Sequence, residues 1–313
     1  MFNNKSFTKR VLFVGIPDMA YICLDGLLMS EINIVGVIGA KKDHATYDSF
    51  KSFVKQRELN FIEFDKLDDP TFIKKIQDLK ADIAVVCSFN YKVPKVLLES
   101  VKDGFINVHP SLLPSYRGAN PYSSVIMNGE KETGVTLHYM DEGFDTGDII
   151  FQKKLPISPA ETMGTIFNRL NILSVNMLIE ALKVYENDDL PKIKQPQGEF
   201  AKCEIGSDKV FFINYEKTAK EIERFVRSLN PFLIATTNFR QNMVKIYATE
   251  AIEDSSFENN ICGTIVRIEN DKFYVATKKG LIAPTVVQFG SFFVGTSKDF
   301  IKILDPKAGE MFL

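Results

Sequence analysis

Short apolar runs alternate with helical patterns along the first 110 residues, and this alternation constrains the fold of the 313-residue chain more than any other feature. Each run is apolar throughout rather than in every second position, which is typical of strands buried on both faces. Strands of this kind separated by helices indicate a parallel sheet covered by helices. The predicted strands are 11–15, 33–39, 61–64, 82–88 and 105–109.

Helical spacing fills the intervals between these strands, over 20–29, 46–57, 69–80 and 94–100. The sequence therefore predicts an α/β fold, a Rossmann-like, mostly parallel sheet with helices on both faces. The first strand-to-helix turn reads GIPDMA and lacks the GxGxxG fingerprint of dinucleotide binding, so NAD is not predicted.

The pattern changes after this region. Runs 134–140 and 148–154 alternate around a Gly-containing turn and predict an antiparallel pair that extends the sheet. A long helix is predicted over 162–185. Beyond a polar, proline-containing stretch, one amphipathic helix (218–229) precedes closely spaced strands typical of a small antiparallel β-barrel, OB-like in type. The predicted domains are 1–190 and 207–313, joined by a linker over 191–206.

Composition argues against several functional classes. The net charge of −2 gives no global field that would attract nucleic acid or membranes. Four widely separated cysteines without a CxxC pair fit neither a zinc site nor a disulfide framework. Neither a signal peptide nor an apolar stretch approaching a membrane span of about 18 residues is visible, so we expect a cytoplasmic protein without a membrane partner.

Two polar side chains project together at the end of the fifth strand. Asn107 and His109 are separated by two positions, so they lie on the same face of a strand. Ligands bind beyond the carboxyl ends of strands in open α/β sheets. The chain has three histidines. His44 lies in a charged stretch and His138 inside an alternating strand, which favours a structural role for His138. His109 is thus the candidate acid or base.

An acidic loop follows between the two alternating runs, with the sequence DEGFDTGD over 141–148. By itself it reads as a solvated hairpin loop or a weak calcium loop, although its spacing does not fit an EF-hand. Beside the first cluster, a loop that returns one carboxylate to His109 is the better interpretation, because a catalytic histidine needs an orienting partner.

The segments NVHPSLLPSYRG (107–118) and DEGFDTGDI (141–149) together resemble the 10-formyltetrahydrofolate-dependent formyltransferases. This family includes glycinamide ribonucleotide transformylase, methionyl-tRNA formyltransferase and the amino-sugar N-formyltransferases. The resemblance covers the first ~200 residues, the size of one domain. More weakly, LNPF near Asn230 and CGTIV…VATKKG resemble the C-terminal barrel of the tRNA enzymes and some sugar enzymes. The resemblance implies an enzyme with 10-formyltetrahydrofolate as co-substrate and no metal.

Matched by position, the family's catalytic residues are Asn107, His109 and Asp145. Asn107 would donate a hydrogen bond to the oxyanion, and protonated His109 would stabilise it and help move the proton. Asp145 would raise the pKa of His109 or hold a relay water. Acceptor binding is assigned to Ser111 and Arg117, of which Arg117 either holds an acceptor phosphate or pins its own loop. The family's folate pocket matches Ser88, Phe89, Asn90, Tyr91, Val93, Tyr139, Asp141 and Gly143.

The amine acceptor is less closely defined. The methionyl-tRNA enzymes carry a longer basic insertion where this chain has the short segment 40–46, and Asn120 interrupts the family's Ala-Pro after Arg-Gly. Residues 205–313 contain 14 Lys and Arg against 13 Asp and Glu, whereas tRNA binding needs clustered positive charge. We therefore expect a small-molecule amine, such as a nucleotide-linked amino sugar. Methionyl-tRNA is the alternative, favoured by length and two-part layout. A non-catalytic folate-binding protein and a formyltetrahydrofolate hydrolase are further alternatives, and the oligomeric state is not predicted.

Overall fold

The computed structural model describes residues 7–17, 19–203, 211–257, 259–291 and 293–313. These residues form two compact units. The first contains the described residues of Met1–Pro121, Glu132–Pro156 and Asn168–Cys203. The second contains those of Tyr122–Lys131, Ile157–Phe167 and Glu204–Leu313.

The first unit is built on a seven-stranded sheet in the order β3-β2-β1-β4-β5-β6-β7. Strands β1 to β5 are parallel, and β6 and β7 add an antiparallel edge, as predicted. The strands are β1 Val11–Gly15, β2 Ile34–Ile38, β3 Phe61–Ile62, β4 Ile83–Cys87, β5 Phe105–His109, β6 Glu132–Tyr139 and β7 Ile149–Pro156. The helices of this unit are α1 Met19–Met29, α2 Tyr47–Lys55, α3 Pro70–Asp78 and α4 Lys95–Leu98. Helix α5 Pro121–Met127 belongs to the second unit apart from its first residue, and α6 Met163–Tyr185 begins in the second unit and continues in the first.

The apolar side chains of its strands explain why helices cover both faces of this sheet. Leu12 and Val14 of β1 belong to a core cluster with residues of α3 and α4 on one face. Helix α1 contacts β1 and β4 without joining that cluster, so it covers the other face. Gly15 ends β1 where a Cβ would lie 2.8 Å from the Cys87 carbonyl oxygen. This close approach brings the ends of β1 and β4 together at the carboxyl edge of the sheet.

The second unit contains seven strands in a second sheet, ordered β11-β12-β13-β10-β9-β8, with β14 paired to β13. The last residues close this sheet: Thr264, just before β11, bridges Met311, and Phe239 of β9 bridges Phe312. The predicted barrel is therefore present, and the chain terminus supplies its closure. The elements are β8 Phe211–Phe212, α7 Ala219–Leu229, β9 Ala235–Phe239, β10 Asn242–Ile252, β11 Ile265–Glu269, β12 Lys272–Ala276, β13 Leu281–Phe289, β14 Phe293–Thr296 and α8 Ser297–Leu304.

Several elements have no counterpart in the sequence-based prediction, namely α5, β8, β9, β14 and α8. The predicted linker also behaves differently in its described part. Residues 191–203 pack on the first unit, where Ile193 exchanges two backbone hydrogen bonds with Ile149. Residues 204–206 of that linker, and 207–210 of the predicted second domain, lie outside the described residues. Among the described helices, none is long and apolar enough to cross a membrane.

Candidate active site

Strand β5 presents Asn107 and His109 on one face at the carboxyl edge of the first sheet, as predicted. Its antiparallel neighbour β6 places His138 directly opposite Asn107, and Thr136 opposite His109. Four polar side chains from two adjacent strands therefore face the same space. His109 and His138 are both almost fully buried.

The acidic loop after β6 brings Asp145 to this cluster. Oδ2 of Asp145 lies 3.5 Å from Nδ1 of His109 and accepts a hydrogen bond from the Gly118 N–H at 2.9 Å. Asp145 has a φ of +55°, a left-handed conformation that aspartate tolerates better than most residues. The structure thus brings together the three residues predicted as catalytic.

The amide of Asn107 is already engaged in the resting site. Its Nδ2 lies 3.1 Å from Nε2 of His138 and donates to Oδ1 of Asp145 at 3.3 Å. Nδ1 of His138 lies 2.8 Å from the Tyr139 carbonyl oxygen, which can only accept, so Nδ1 carries the proton and Nε2 is an acceptor for Asn107. Both amide hydrogens of Asn107 are therefore oriented by neighbours, and donation to an oxyanion requires one of these bonds to be exchanged.

His109 is anchored through one ring nitrogen and faces the carboxylate with the other. Its Nε2 donates to the Tyr116 carbonyl oxygen at 2.8 Å, while Nδ1 faces Asp145. Burial lowers the pKa of His109, and Asp145 and the Tyr116 carbonyl, which act in the opposite direction, only partly offset this. The upward influence predicted for Asp145 is present, but the net pKa lies below the ordinary value. At neutral pH the imidazole is accordingly mostly neutral and ready to accept a proton.

Asp145 remains ionised in this setting. Burial by itself raises the pKa of Asp145, but its contacts with His138 and His109 and the hydrogen bond from the Gly118 N–H together bring it well below its ordinary value. A permanently charged carboxylate beside a neutral imidazole stabilises the imidazolium that forms when His109 takes up a proton.

His138 is a site residue that the sequence-based interpretation assigned to a structural role. Its Nε2 lies 3.4 Å from Oδ1 of Asp145, so two histidines flank one carboxylate. The signal that identifies it is the cross-strand register: once β5 and β6 pair as observed, Asn107 and His138 must share a face. Strand alternation alone could not supply this register.

The first predicted folate segment, 88–93, follows β4 at the same edge of the sheet. Ser88 and Asn90 are exposed and Val93 is buried. The rings of Phe89 and Tyr91 lie 5.1 Å apart and pack, half-buried, on the core cluster below them. A partly exposed aromatic wall of this kind suits a flat conjugated ring such as the pterin of a folate.

The second predicted folate segment, 139–145, is paired by Glu142 with Lys95 at 3.6 Å, and Lys95 begins helix α4 two residues after the first segment ends. Within its loop, Oδ1 of Asp141 accepts hydrogen bonds from the Gly143 N–H at 3.0 Å and the Thr146 hydroxyl at 2.6 Å, so it shapes the turn.

Tyr139 is not brought to the triad through its side chain. As the neighbour of His138 on β6, it points to the opposite face of the sheet, where Lys192 Nζ lies 4.9 Å from its ring centroid.

The two predicted acceptor-binding residues have structural partners. Ser111 is fully buried and its hydroxyl donates to the Ser115 carbonyl oxygen at 2.7 Å, which stabilises the loop after β5. The guanidinium of Arg117 donates from Nε and Nη2 to the side-chain oxygen of Gln195. In this structure Arg117 therefore pins its own loop. Gln195 carries a neutral amide, so it does not neutralise the positive charge of the guanidinium.

Both parts of the chain match known protein families. The model described as "Formyl transferase" matches residues 9–182, and the model described as "Formyl transferase, C-terminal domain" matches residues 207–303. The first match contains every residue predicted to be catalytic.

Individual proteins resemble the chain over most of its length. Methionyl-tRNA formyltransferase of Clostridioides difficile strain 630 is 33% identical over 274 residues, covering 86% of this chain and 88% of that protein. Methionyl-tRNA formyltransferase of Alkaliphilus oremlandii strain OhILAs is 34% identical over 286 residues, covering 90% and 92%. Among solved structures, an N-formyltransferase from Helicobacter canadensis in complex with folinic acid and dTDP-3-aminofucose is similar in fold, with a TM-score of 0.67, 21% identity and coverage of 88% of this chain and 99% of that one.

Proposed function

This chain belongs to the formyl transferase family, and we propose that it transfers the formyl group of 10-formyltetrahydrofolate to the primary amine of a small acceptor, a nucleotide-linked amino sugar. It is an enzyme of one-carbon group transfer. The observation that carries the proposed chemistry is the cluster of Asn107, His109 and Asp145, in which a buried neutral imidazole lies beside an ionised carboxylate.

The proposed reaction requires one new bond and one broken bond. The amine nitrogen attacks the formyl carbon, the new C–N bond forms, and the bond from that carbon to N10 of the folate breaks. One proton passes from the amine to the leaving nitrogen. His109 accepts this proton and then returns it, while Asp145 stabilises the charged imidazole between the two steps.

Asn107 has a second role in this proposal. During the attack the formyl oxygen acquires negative charge, and Asn107 donates to it by exchanging its bond with His138 or Asp145. Hydrogen bonds to developing charge of this kind are a main source of rate acceleration in such sites.

Charge pairing in the second unit supports a small acceptor. Of the 13 lysines and arginines that the structure describes within residues 205–313, at least eight lie within ion-pair distance of a carboxylate, so they offer less uncompensated charge to a phosphate backbone. These pairs are Lys217–Glu221, Lys220–Glu253, Arg227–Glu223, Arg240–Glu310, Arg267–Asp254, Lys272–Glu250, Lys298–Asp271 and Lys307–Asp305.

The second candidate acceptor is initiator methionyl-tRNA. It is favoured by the similarity to proteins named methionyl-tRNA formyltransferase. For the protein from Alkaliphilus oremlandii, this similarity covers 92% of its length. Both candidates present a primary amine to the same site, so the chemistry proposed for His109 is common to them.

A direct competition of acceptors tests this proposal. The protein is incubated with 10-formyltetrahydrofolate and, separately, with a panel of nucleotide-linked amino sugars and with initiator methionyl-tRNA, and the N-formyl product is measured by mass spectrometry. We expect an amino sugar to be formylated with a kcat/KM on the order of 100-fold above that of the tRNA, a difference of about 2.7 kcal/mol in transition-state binding.

The possible results test the identity of the acceptor and the formyl transfer reaction separately. Efficient formylation of the tRNA alone would overturn the small acceptor and leave the reaction intact. Absence of product with every acceptor would overturn the proposed function. The His109→Ala variant is the chemical control, and it should bind folate normally while losing formyl transfer by roughly 100-fold or more.

A further inference from the structure

Residues 191–203, called here the return segment, form part of the wall around the catalytic loops. Within the first unit, Ile193 of this segment forms two backbone hydrogen bonds with Ile149 of β7. The Ala201 carbonyl oxygen accepts a hydrogen bond from the Tyr116 N–H, in the loop after β5, at 2.6 Å. Lys202 also bridges Arg117. A segment whose polarity and prolines predicted a linker is therefore folded against the site.

Gln195 is the one side chain of the return segment that is buried, at 7% exposure, although it is fully polar. Its Nε2 donates to the carbonyl oxygens of Asp145 and Gly147, both at 2.8 Å. Its Oε1 accepts from the guanidinium of Arg117. A buried amide satisfied at both ends is expensive to break, because each lost partner leaves a desolvated polar group.

These bonds join the two loops that hold the site together. The Arg117 loop supplies the Gly118 N–H to Oδ2 of Asp145, and the Tyr116 carbonyl to Nε2 of His109. Asp145 has a φ of +55° and Tyr116 a φ of +61°, conformations that surrounding contacts must hold in place. Gln195 holds the Asp145 backbone directly and the Tyr116 loop through Arg117.

We propose that Gln195 is a positioning residue for the formyl transfer reaction, acting by fixing the backbone of Asp145 and so the distance between its carboxylate and His109. The expected loss of kcat rests on the proposed function. The expected displacement of Asp145 does not depend on which acceptor the enzyme uses. An amide is required at this position, since two carbonyl oxygens need N–H donors and a guanidinium needs an acceptor.

The Gln195→Glu variant tests this directly. Glutamate keeps the size and the acceptor for Arg117, but it turns carboxylate oxygen towards the carbonyls of Asp145 and Gly147 in place of N–H. We expect kcat to fall on the order of 100-fold, as for a displacement of about 1 Å in a catalytic group, while KM for 10-formyltetrahydrofolate changes less than about 3-fold. Gln197→Glu is the matched control, because Gln197 is exposed on the same segment and undergoes the same charge change.

A second measurement does not depend on turnover. His109 is titrated by NMR in the wild type, in Gln195→Met, which removes the amide without adding a charge, and in Gln197→Met as the matched exposed control. Asp145 raises the pKa of His109, so displacing Asp145 in Gln195→Met, which adds no charge of its own, lowers that pKa further, whereas Gln197→Met leaves it unchanged. A purely structural role for Gln195 would change the melting temperature without moving the His109 titration.

The results distinguish the two proposals. An unchanged kcat in Gln195→Glu together with an unchanged His109 titration in Gln195→Met would overturn the positioning role. A wild type without activity on any acceptor would overturn the proposed function, while the titration would still decide the role of Gln195. If Gln195→Glu does not fold, Gln195→Met, which removes the amide without adding a charge, decides by the same two measurements.

Discussion

Among individual residues, Asp145 connects most of the site. Its carboxylate contacts Asn107, Gly118, His109 and His138, which come from two strands and a loop. The sequence motif identified Asp145 among three aspartates in one acidic loop, and the structure explains the choice: Asp141 bonds within its own turn and Asp148 pairs with Lys194. Position in space rather than residue type distinguishes the proposed catalytic carboxylate.

The Asp145→Asn variant should change both the rate and the pH dependence. Burial lowers the pKa of His109 and Asp145 partly offsets this, so removal of the negative charge lowers that pKa further. Protonation of His109 removes the base, and the activity therefore decreases as pH falls through this pKa. We expect the acid limb of kcat/KM to move to lower pH, with the plateau reduced roughly 100-fold because the imidazolium loses its counter-charge.

A pH–rate profile of kcat/KM measures this shift, with Asp148→Asn as the control of identical chemistry in the same loop. The acid limb of the control should coincide with that of the wild type. An acid limb that moves to higher pH in Asp145→Asn would contradict the assigned relation between the two side chains.

At the scale of secondary structure elements, long-range pairing accounts for most differences from the prediction. Apolar periodicity identified β1, β4 and β5 closely, because each strand carries its own signal along the chain. Strand β9 and helices α5 and α8 lack a comparable signal. Besides its hairpin partner β10, β9 pairs with β8, and α8 contacts β12, both more distant in sequence. The closing contact of the barrel is such a case, since Phe312 bridges Phe239, 73 positions earlier.

The Phe312→Ala variant should destabilise the second unit strongly. Phe312 is 1% exposed, and its ring lies 4.9 Å from that of Phe239 and 5.7 Å from that of Phe273. Truncating a buried phenylalanine costs about 3–5 kcal/mol through lost burial and the remaining cavity. Urea denaturation followed by circular dichroism measures this loss.

Leu313→Ala provides the matched control, because the side chain of Leu313 is 74% exposed and only its backbone bonds Asn238. Its unfolding midpoint should stay within experimental error of the wild type. Equal effects of the two substitutions would show that the terminus contributes through its backbone alone.

At the scale of the whole molecule, the division into units differs from the division in sequence. Residues 122–131 and 157–167 precede the predicted boundary, yet they belong to the second unit. Within that unit, Arg224 donates to the Met127 carbonyl oxygen at 3.2 Å and Arg227 to the Glu161 carbonyl oxygen at 2.8 Å. The bonded residues are 97 and 66 positions apart, so local composition could not reveal the grouping. The domain limits 1–190 and 207–313, which were drawn from the sequence alone, remain a proposal.

Net charge and ion pairing make a prediction at this scale. With a net charge of −2, and many cations of the second unit paired, few phosphate contacts are available. We expect kcat/KM with the preferred acceptor to change by less than about 10-fold between 50 and 200 mM salt. A protein that neutralises six to ten phosphates loses roughly 10³- to 10⁵-fold in affinity over this range. Steady-state kinetics at several salt concentrations provide the measurement, and a steep decline would favour the tRNA acceptor.

The sequence by itself determined the α/β alternation, the strand-end positions of Asn107 and His109, and the family motif that includes Asp145. These features are local, since a few neighbouring residues carry each signal. Tertiary structure alone decided the partnership of His138 with Asn107, the burial of Gln195 and the closure of the barrel by Phe312. Each of these depends on register or on contacts between distant segments, and a one-dimensional pattern does not encode which side chains such contacts bring together.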